Sequence, residues 1–410
     1  MEYEKESGEI LSLASDAGHV LLENGAEISR VEETMERIAT HYGEEKENFF
    51  VLSNGIFTTG KSYANVEFIP IKGARLDKVV AINQFSRDIA AGRFSLQEAR
   101  TRLEEIKRDP PKPLWEQFVG AALGSGAFCA IFGGSLIDCA AALVAGTLVY
   151  IFLVLVGVPY MSKALGNICA GAVGTAACII FHSLGFGQTL GNMMVGTLIP
   201  LIPGVPFTNG LRDIANEDYL AGITRLMDAI MVFLCIAIGV CLTFIVHSWI
   251  AGGMILMNGT VTDPLTAVLP IQMLVALVGT SSFAVLFGVP RRYYLSCGVV
   301  GMLGWAAYLL SLRCTPLGIF GSTLVAATLI ALLSSWSARL LKCPSTVFLI
   351  CGIFPLIPGA GVFWSSYYIV SEQMRAAAGA GFLAVKVTIA IVLGIILATN
   401  LKRIRKTAGL

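Results

Sequence analysis

The sequence predicts an α-helical polytopic membrane protein of about ten transmembrane helices, arranged as a 5+5 inverted-topology repeat behind a small N-terminal α+β domain. Three observations carry this. The chain has 410 residues, of which 55% are hydrophobic and 14% charged, far below the roughly 25% charge of soluble domains. The charge is lopsided: residues 1–114 hold 15 Lys/Arg and 20 Asp/Glu, whereas residues 115–410 hold 14 and 8. Finally, the pentapeptide Pro200-Leu201-Ile202-Pro203-Gly204 returns 155 positions later as Pro355-Leu356-Ile357-Pro358-Gly359. Proline removes a backbone donor and clashes with the preceding turn, so each copy breaks a helix. Matching breaks in two halves of a chain point to a transporter's binding site.

Residues 1–114 read as a cytoplasmic domain. Ile10, Ala14, Ala17 and Leu21 repeat at helical spacing over 7–23, and Asn24-Gly25 ends that helix. Ser29-Arg30-Val31-Glu32 reads as a capping box, opening a helix with the stripe Val31, Met35, Ile38 and Tyr42. Strands are expected at 48–53, 56–59 and 65–70, with Asn54-Gly55 as a hairpin turn or a bulge. Helices follow over 76–91 and, behind the cap Ser95-Leu96-Gln97-Glu98, to about Lys107. Asp109-Pro110-Pro111-Lys112-Pro113 is a stiff linker.

The domain offers little chemistry. His19, Glu23 and Glu27 are spaced to share a helix face, but Gly25 interrupts it and there is no HExxH, so no metal is expected. Glu27, Arg30, Glu33 and Arg37 read as a solvated, ion-paired face. No nucleophile–base pair and no phosphate loop can be read. The chain is therefore expected not to be an enzyme and to need no cofactor; the alternative is a membrane-anchored hydrolase using this domain.

From residue 115 onward ten apolar stretches follow: 117–137, 139–158, 163–183, 187–203, 229–250, 266–288, 294–312, 316–335, 345–361 and 380–400. Most reach the ~17–25 residues that cross the hydrocarbon core. With the N-terminal domain inside, the inner connections and tail carry eleven Lys/Arg and the outer connections Arg313 and Arg375, the expected positive-inside bias. Both termini are then cytoplasmic in the cell membrane. Five-helix modules are placed at 115–251 and 264–402, with a basic tail at 403–410. Because five is odd, the second module enters the membrane in the opposite sense. Glu217/Glu372, Ala221/Ala376, Ala229/Ala384, Ile236/Ile391 and Gly239/Gly394 extend the 155-residue register, but upstream of the pentapeptide no register is evident. All ten cysteines lie in this part without a CxxC pair and read as apolar packing. Met1–Lys5 has no basic segment leading into an apolar one, so no cleaved signal is expected. The net charge of +1 gives no sign of nucleic acid.

Candidate substrate-site residues cluster at the breaks: Pro200, Pro203 and Gly204 in one, Pro355, Pro358 and Gly359 in the other. The first is followed by Thr208, Asn209, Arg212 and Asp213, the second by Trp364, Ser365 and Tyr367. Arg212 suits a carboxylate in bidentate fashion, a helix N-terminus after Gly204 adds N–H donors, and Asp213 or Asn209 suits an ammonium group. The competing reading makes Arg212, Asp213, Glu217 and Asp218 the solvated face of a cytoplasmic helix, since charge is costly at depth. Asp228, Glu372 and Lys386 are the coupling or gating candidates; more simply, Asp228 pairs with Arg225 and Glu372 with Arg375. Asp138 is expected exposed at an outer turn. The two breaks are expected to lie close together rather than at opposite surfaces.

Several of these motifs resemble a known family. Glu23-Asn24-Gly25-Ala26-Glu27, Arg30-Val31-Glu32-Glu33-Thr34 and Asn54-Gly55-Ile56-Phe57 resemble the N-terminal signature of the threonine/serine exporter family. Ile202-Pro203-Gly204, Thr208-Asn209 and Arg212-Asp213 are similar to its transmembrane motif. Gly288-Val289-Pro290-Arg291-Arg292, Gly301-Met302-Leu303-Gly304-Trp305 and the second pentapeptide resemble its smaller partner module, fused here. The resemblance covers nearly the whole chain. It implies export of small polar metabolites, threonine and serine foremost, driven by a proton gradient or membrane potential. Dicarboxylates such as succinate are the alternative, which would require Lys386 or Arg375 to face inward. The partners expected are a small amino acid or carboxylate, protons, the lipid bilayer and a second copy of the chain in a homo-oligomer, with a gating role for the N-terminal domain.

Overall fold

A computed structural model describes residues 2–44, 49–60, 63–70, 73–253, 263–264 and 266–407. The N-terminal part comprises α1 (Glu2–Glu23), α2 (Ile28–His41), β1 (Phe49–Leu52), β2 (Gly55–Thr59), β3 (Ala64–Phe68), α3 (Leu76–Ala90) and α4 (Leu96–Arg108). The three strands form an antiparallel sheet in sequence order. Its inner face, with Val51 and Ile56, joins Leu21 of α1 and Met35 of α2 in one buried cluster. Asn48, expected in the first strand, and residues 408–410 of the expected tail lie outside the described residues.

Two local expectations are corrected. Leu52 pairs with Gly55, so the hairpin turn is Ser53-Asn54, one position earlier than read. Ser29 is no cap either: α2 starts at Ile28 behind Glu27, which makes no side-chain cap bond. The capping box of α4 does form, with Ser95 accepting from the Glu98 amide and Glu98 accepting from that of Ser95. Such a cap is worth about 1 kcal/mol.

Long apolar helices follow: α5 (Leu114–Ile131), α6 (Leu136–Tyr160), α7 (Lys163–Ser183), α8 (Leu190–Leu198), α9 (Gly204–Ala215), α10 (Tyr219–Ala251), α11 (Leu269–Leu286), α12 (Tyr294–Cys314), α13 (Gly318–Leu340), α14 (Ser345–Ile353), α15 (Gly359–Val370) and α16 (Met374–Thr407). Among the described residues nine stretches are long and apolar enough to cross a membrane. The pair α8–α9, bent by 71°, makes a tenth if counted as one span, whereas α14–α15 already counts as a single span. The protein is thus a polytopic helical membrane protein with a small strand-containing N-terminal region.

The 155-residue register reaches upstream of the pentapeptide after all. Leu114–Ile131 recurs as Leu269–Leu286, and the starts of α7 and α13 correspond, as do those of α10 and α16. The bounds of α8 and α9 recur in α14 and α15, with the 3-10 turns Ile199–Leu201 and Phe354–Leu356 between them. Glu217 and Glu372 both take left-handed backbone, at φ 72° and 58°. Different apolar side chains serve equally well in lipid, so matching backbone does not require matching residues.

Contacts between the halves are reciprocal. A Cβ on Gly124 of α5 would meet the Phe283 ring of α11 at 3.2 Å, and one on Gly279 of α11 would meet the Phe128 ring of α5 at 2.9 Å. Residue 124 corresponds to 279, and 128 to 283. Rising numbers on one helix meet falling numbers on the other, so the pair is antiparallel, and the exchange of partners is the pattern of a two-fold contact. Phe128 and Phe283 themselves cross edge-on with centroids 5.3 Å apart.

Candidate functional site

Each break is built the same way. Pro200 and Pro355 sit in the 3-10 turns, which bond at shorter range than an α-helix. Pro203 (φ −76°, ψ 62°) and Pro358 (φ −77°, ψ 40°) then redirect the chain, and a fresh helix starts at Gly204 or Gly359. The breaks touch one another. A Cβ on Gly204 would come within 2.5 Å of the Phe354 ring, and one on Gly359 would overlap Ile202. Phe354 stacks on Phe283 with centroids 3.8 Å apart and meets Phe128 and Phe287 edge-on. Aromatic pairs of this kind add ~0.5–1.5 kcal/mol each beyond area burial. A small cavity of about 30 Å³, lined by Ile202, Gly359, Phe363 and Ser366 among others, sits at the junction.

The polar face of α9 turns toward the N-terminal domain. Asn209 Nδ2 donates to the Gly25 carbonyl at 2.6 Å. Arg212 pairs with Glu27 at 2.5 Å and donates to Thr346 Oγ1 at 2.8 Å, and Thr346 in turn donates to Glu27 Oε2 at 2.7 Å. Asp213 pairs with Arg225 at 2.9 Å, and Arg225 donates to the Ala26 carbonyl at 2.8 Å. Gly25 reaches this position at φ +84°, with Val205 against it. The segment Gly25-Ala26-Glu27 and the segment Asn209–Asp213, which the sequence shows as separate motifs, are therefore one interface. On the second half, Leu76 and Asp77 donate backbone N–H groups to the Phe287 and Gly288 carbonyls, both at 3.0 Å.

This interface corrects three readings. Glu27 is not on a solvated face: its side chain is 1% exposed, as is that of Asp213, and Arg225 is 3% exposed. Asp213 is therefore not part of a solvated helix face. Asp228 pairs with Lys163 at 2.6 Å instead of with Arg225. Removing one partner of a buried ion pair typically costs about 3–5 kcal/mol; Glu27–Arg212 crosses from the domain to α9, and Asp213–Arg225 joins α9 to α10.

Beside the interface lies a cavity of about 700 Å³. Its walls come from the sheet (Ser53, Asn54, Phe68), the α6–α7 connection (Met161, Lys163) and the first break (Pro203, Asn209, Arg225). The volume suits a small metabolite. Thr208 Oγ1 and Asn209 Oδ1 are buried with no hydrogen-bond partner among the described residues. A buried acceptor left open costs roughly 1–3 kcal/mol, so a donor-bearing ligand would gain by meeting Asn209. The Lys163–Asp228 pair, both side chains exposed, also borders this cavity.

The second flank has a different character. Trp364 is buried, and its ring fills the space that a side chain on Gly191 would need. Tyr367 is fully buried against Phe244, with centroids 5.5 Å apart. Ser365 donates to the Ala377 carbonyl at 3.0 Å. Lys386 is exposed with its ammonium 4.8 Å from the Phe382 ring centre. Glu372 and Arg375 are both exposed, and no ion pair joins them among the described residues. Asp138 is fully buried, not at an exposed turn: it accepts from the Ser135, Gln188 and Thr189 amides and from Thr189 Oγ1 at 2.6 Å. His19 bonds Glu67 at 2.7 Å rather than sharing a face with Glu27.

Sequence reasoning missed Glu27, Arg225 and Thr346 as members of the site. The first lay within a quoted motif and was spent on a surface ion-pair pattern. Thr346 carried no signal, since a threonine at the head of an apolar helix reads as a cap.

A membrane bundle with two broken helices meeting inside it, one bordering a metabolite-sized cavity, has the architecture of a transporter. The chain belongs to the threonine/serine exporter family. A family model described as "Putative threonine/serine exporter" matches residues 12–247, and one described as "Threonine/Serine exporter, ThrE" matches residues 272–401. The protein is a fused form carrying both. It is similar to a "Probable threonine/serine exporter" of Mycobacterium tuberculosis, 26% identical over 71% of this chain and 54% of that protein. It is also similar to a "Threonine/serine exporter" of Corynebacterium glutamicum, 22% identical over 89% of this chain and 76% of that protein. The chain thus spans about half the length of the mycobacterial relative. No solved structure matches it.

Proposed function

We propose that this chain is a secondary exporter of threonine and serine that works by alternating access around its two breaks. The observation that carries the reading is the contact of Gly204 with Phe354 and of Gly359 with Ile202, beside a cavity that Asn209 helps to line. A helix pair already broken can rock without first losing hydrogen bonds. The inverted repeat is supported by the reciprocal, antiparallel packing of α5 and α11. The basic connections favour both termini in the cytoplasm, and a proton gradient or the membrane potential is the proposed energy source. Asn209 or Asp213 would take the substrate's ammonium and Arg212 its carboxylate. The relatives' names supply the substrate.

The dicarboxylate reading needs a second cation near the site. Lys386 and Arg375, both exposed, do not favour it. A hydrolase in the N-terminal domain is likewise disfavoured, because the buried charges there are engaged in docking. The test is accumulation of labelled threonine, serine and succinate in sealed vesicles containing the full chain, with an imposed proton gradient. Accumulation of threonine or serine is expected. Accumulation of succinate alone would replace the substrate, and mere equilibration would make the protein a channel.

A further inference from the structure

The Glu27–Arg212 pair joins three parts of the molecule. Glu27 comes from the N-terminal domain, Arg212 from the first broken helix, and Thr346, bonded to both, from the head of the second. Glu27 presents a carboxylate to an arginine that the exporter reading assigns to the substrate's carboxylate. Two carboxylates cannot both occupy the same guanidinium edge without like-charge repulsion. Ser345 Oγ, 3.3 Å from Arg212 Nη2, completes the arginine's partners. The geometry points to Glu27 as an internal stand-in for the substrate: its carboxylate fills the carboxylate subsite, and an amino acid that displaces it loosens the N-terminal domain on α9. This rests on the exporter reading and adds to it how the inner side opens.

On the arginine's side the exchange is close to balanced, while Glu27 gives up Arg212 and Thr346 and keeps Arg30, 3.6 Å away. Arg212 trades one carboxylate for another, so it is never left buried and unpaired, which would be the costly outcome. What changes is the number of restraints on the domain. Once Glu27 leaves, the bonds from Asn209 to Gly25 and from Arg225 to Ala26 hold the domain without the ion pair. Substrate binding and domain loosening are then linked, and each must favour the other by the same factor. A domain latched by its own carboxylate also stays closed when no carboxylate substrate is present, which keeps the cavity from leaking.

The experiment uses the full chain and two readouts. Hydrogen exchange at the Leu76 and Asp77 amides, which donate across to Phe287 and Gly288, reports domain docking. The wild-type protein is exposed to threonine, acetate and succinate and, in parallel, to threoninamide, which has the ammonium but no carboxylate. At least one carboxylate is expected to speed exchange at both amides, with threoninamide inert. Glu27→Gln, close to isosteric, should show fast exchange without ligand and a threonine KM lowered about tenfold, because the competent state is no longer taxed. Thr346→Val should move both readouts the same way by less. Exchange insensitive to every carboxylate, or Glu27→Gln with unchanged KM and protection, would overturn the inference. Wild-type protein that moves neither threonine nor serine would instead sink the exporter reading, while the exchange arm still judges the competition between carboxylates.

Discussion

The two breaks share a backbone and differ in almost everything attached to it. Counterparts 155 apart are Asn209 and Trp364, Arg212 and Tyr367, Asp213 and Tyr368, and Arg225 and Ala380. The contact of Arg212 with Thr346 has its counterpart where α15 meets α8, with Trp364 seated on Gly191. One end is held by buried charge shared with the N-terminal domain. The other is held by aromatic rings packed on a bare backbone. The bends differ as well: α8 and α9 meet at 71°, while α14 and α15 are straight enough to form one span. The difference teaches that the proline–glycine sequence sets where the chain breaks, and the neighbours set by how much. The N-terminal domain meets the first half through buried ion pairs on α9 and α10 and the second through Thr346 and the backbone of Phe287 and Gly288, and the half that carries the ion pairs is the more bent.

The comparison can be broken by removing one anchor at a time. The largest effect is expected from Arg225→Ala, which leaves Asp213 buried without its cation. Thermal or denaturant unfolding of the detergent-solubilised protein should show a loss of about 3–5 kcal/mol. A loss near zero would mean that the charges at the first break do not hold it. Trp364→Ala should cost about 3 kcal/mol through the hole left over Gly191. It should leave exchange at Leu76 and Asp77 untouched, because no charge or domain contact is lost; faster exchange there would join what the comparison separates.

A smaller effect, about 1 kcal/mol, is expected from Ser95→Ala, which removes the cap of α4 far from either break. Unfolding of the full chain should register it, and threonine KM should not; a changed KM would extend the site into α4. The last effect concerns pH. Burial pushes the linker ammonium of Lys112 down to about 8, below its unfolded value near 10.4. Between those values the unfolded chain binds more protons, so stability rises with pH across that window and the penalty is fully present below it. Lys112→Met should flatten that part of the pH–stability profile; an unchanged slope would remove Lys112 as its source.

How much was legible depends on what each feature needed. The membrane class, the breaks and the helical order of the N-terminal domain follow from local rules: apolar length, proline chemistry and caps. The register of the two halves was legible only after Gly204 and Gly359, where glycine and proline are hard to replace. Upstream it was hidden, because apolar helices agree by chance and single identities such as Phe128 with Phe283 do not stand out. Charges misled most. Asp138 and Glu27 read as surface groups, and for Asp213 a solvated face stood beside a substrate role, since buried charge is rare without a partner. Glu27 meets Thr346, 319 positions away, and Asp138 meets the Gln188 amide, 50 positions away, which no local pattern can supply.

The sequence by itself determined that the chain spans a membrane, that it breaks twice at corresponding places, and that the two flanks differ in chemistry. These depend on properties a residue carries with it: hydropathy, a missing N–H, a side-chain charge. The tertiary structure decided which charges meet. It brought Gly25-Ala26-Glu27 onto Asn209, Arg212 and Arg225 and set the two pentapeptides against each other, because burying a charge or closing a break depends on what stands opposite it in space.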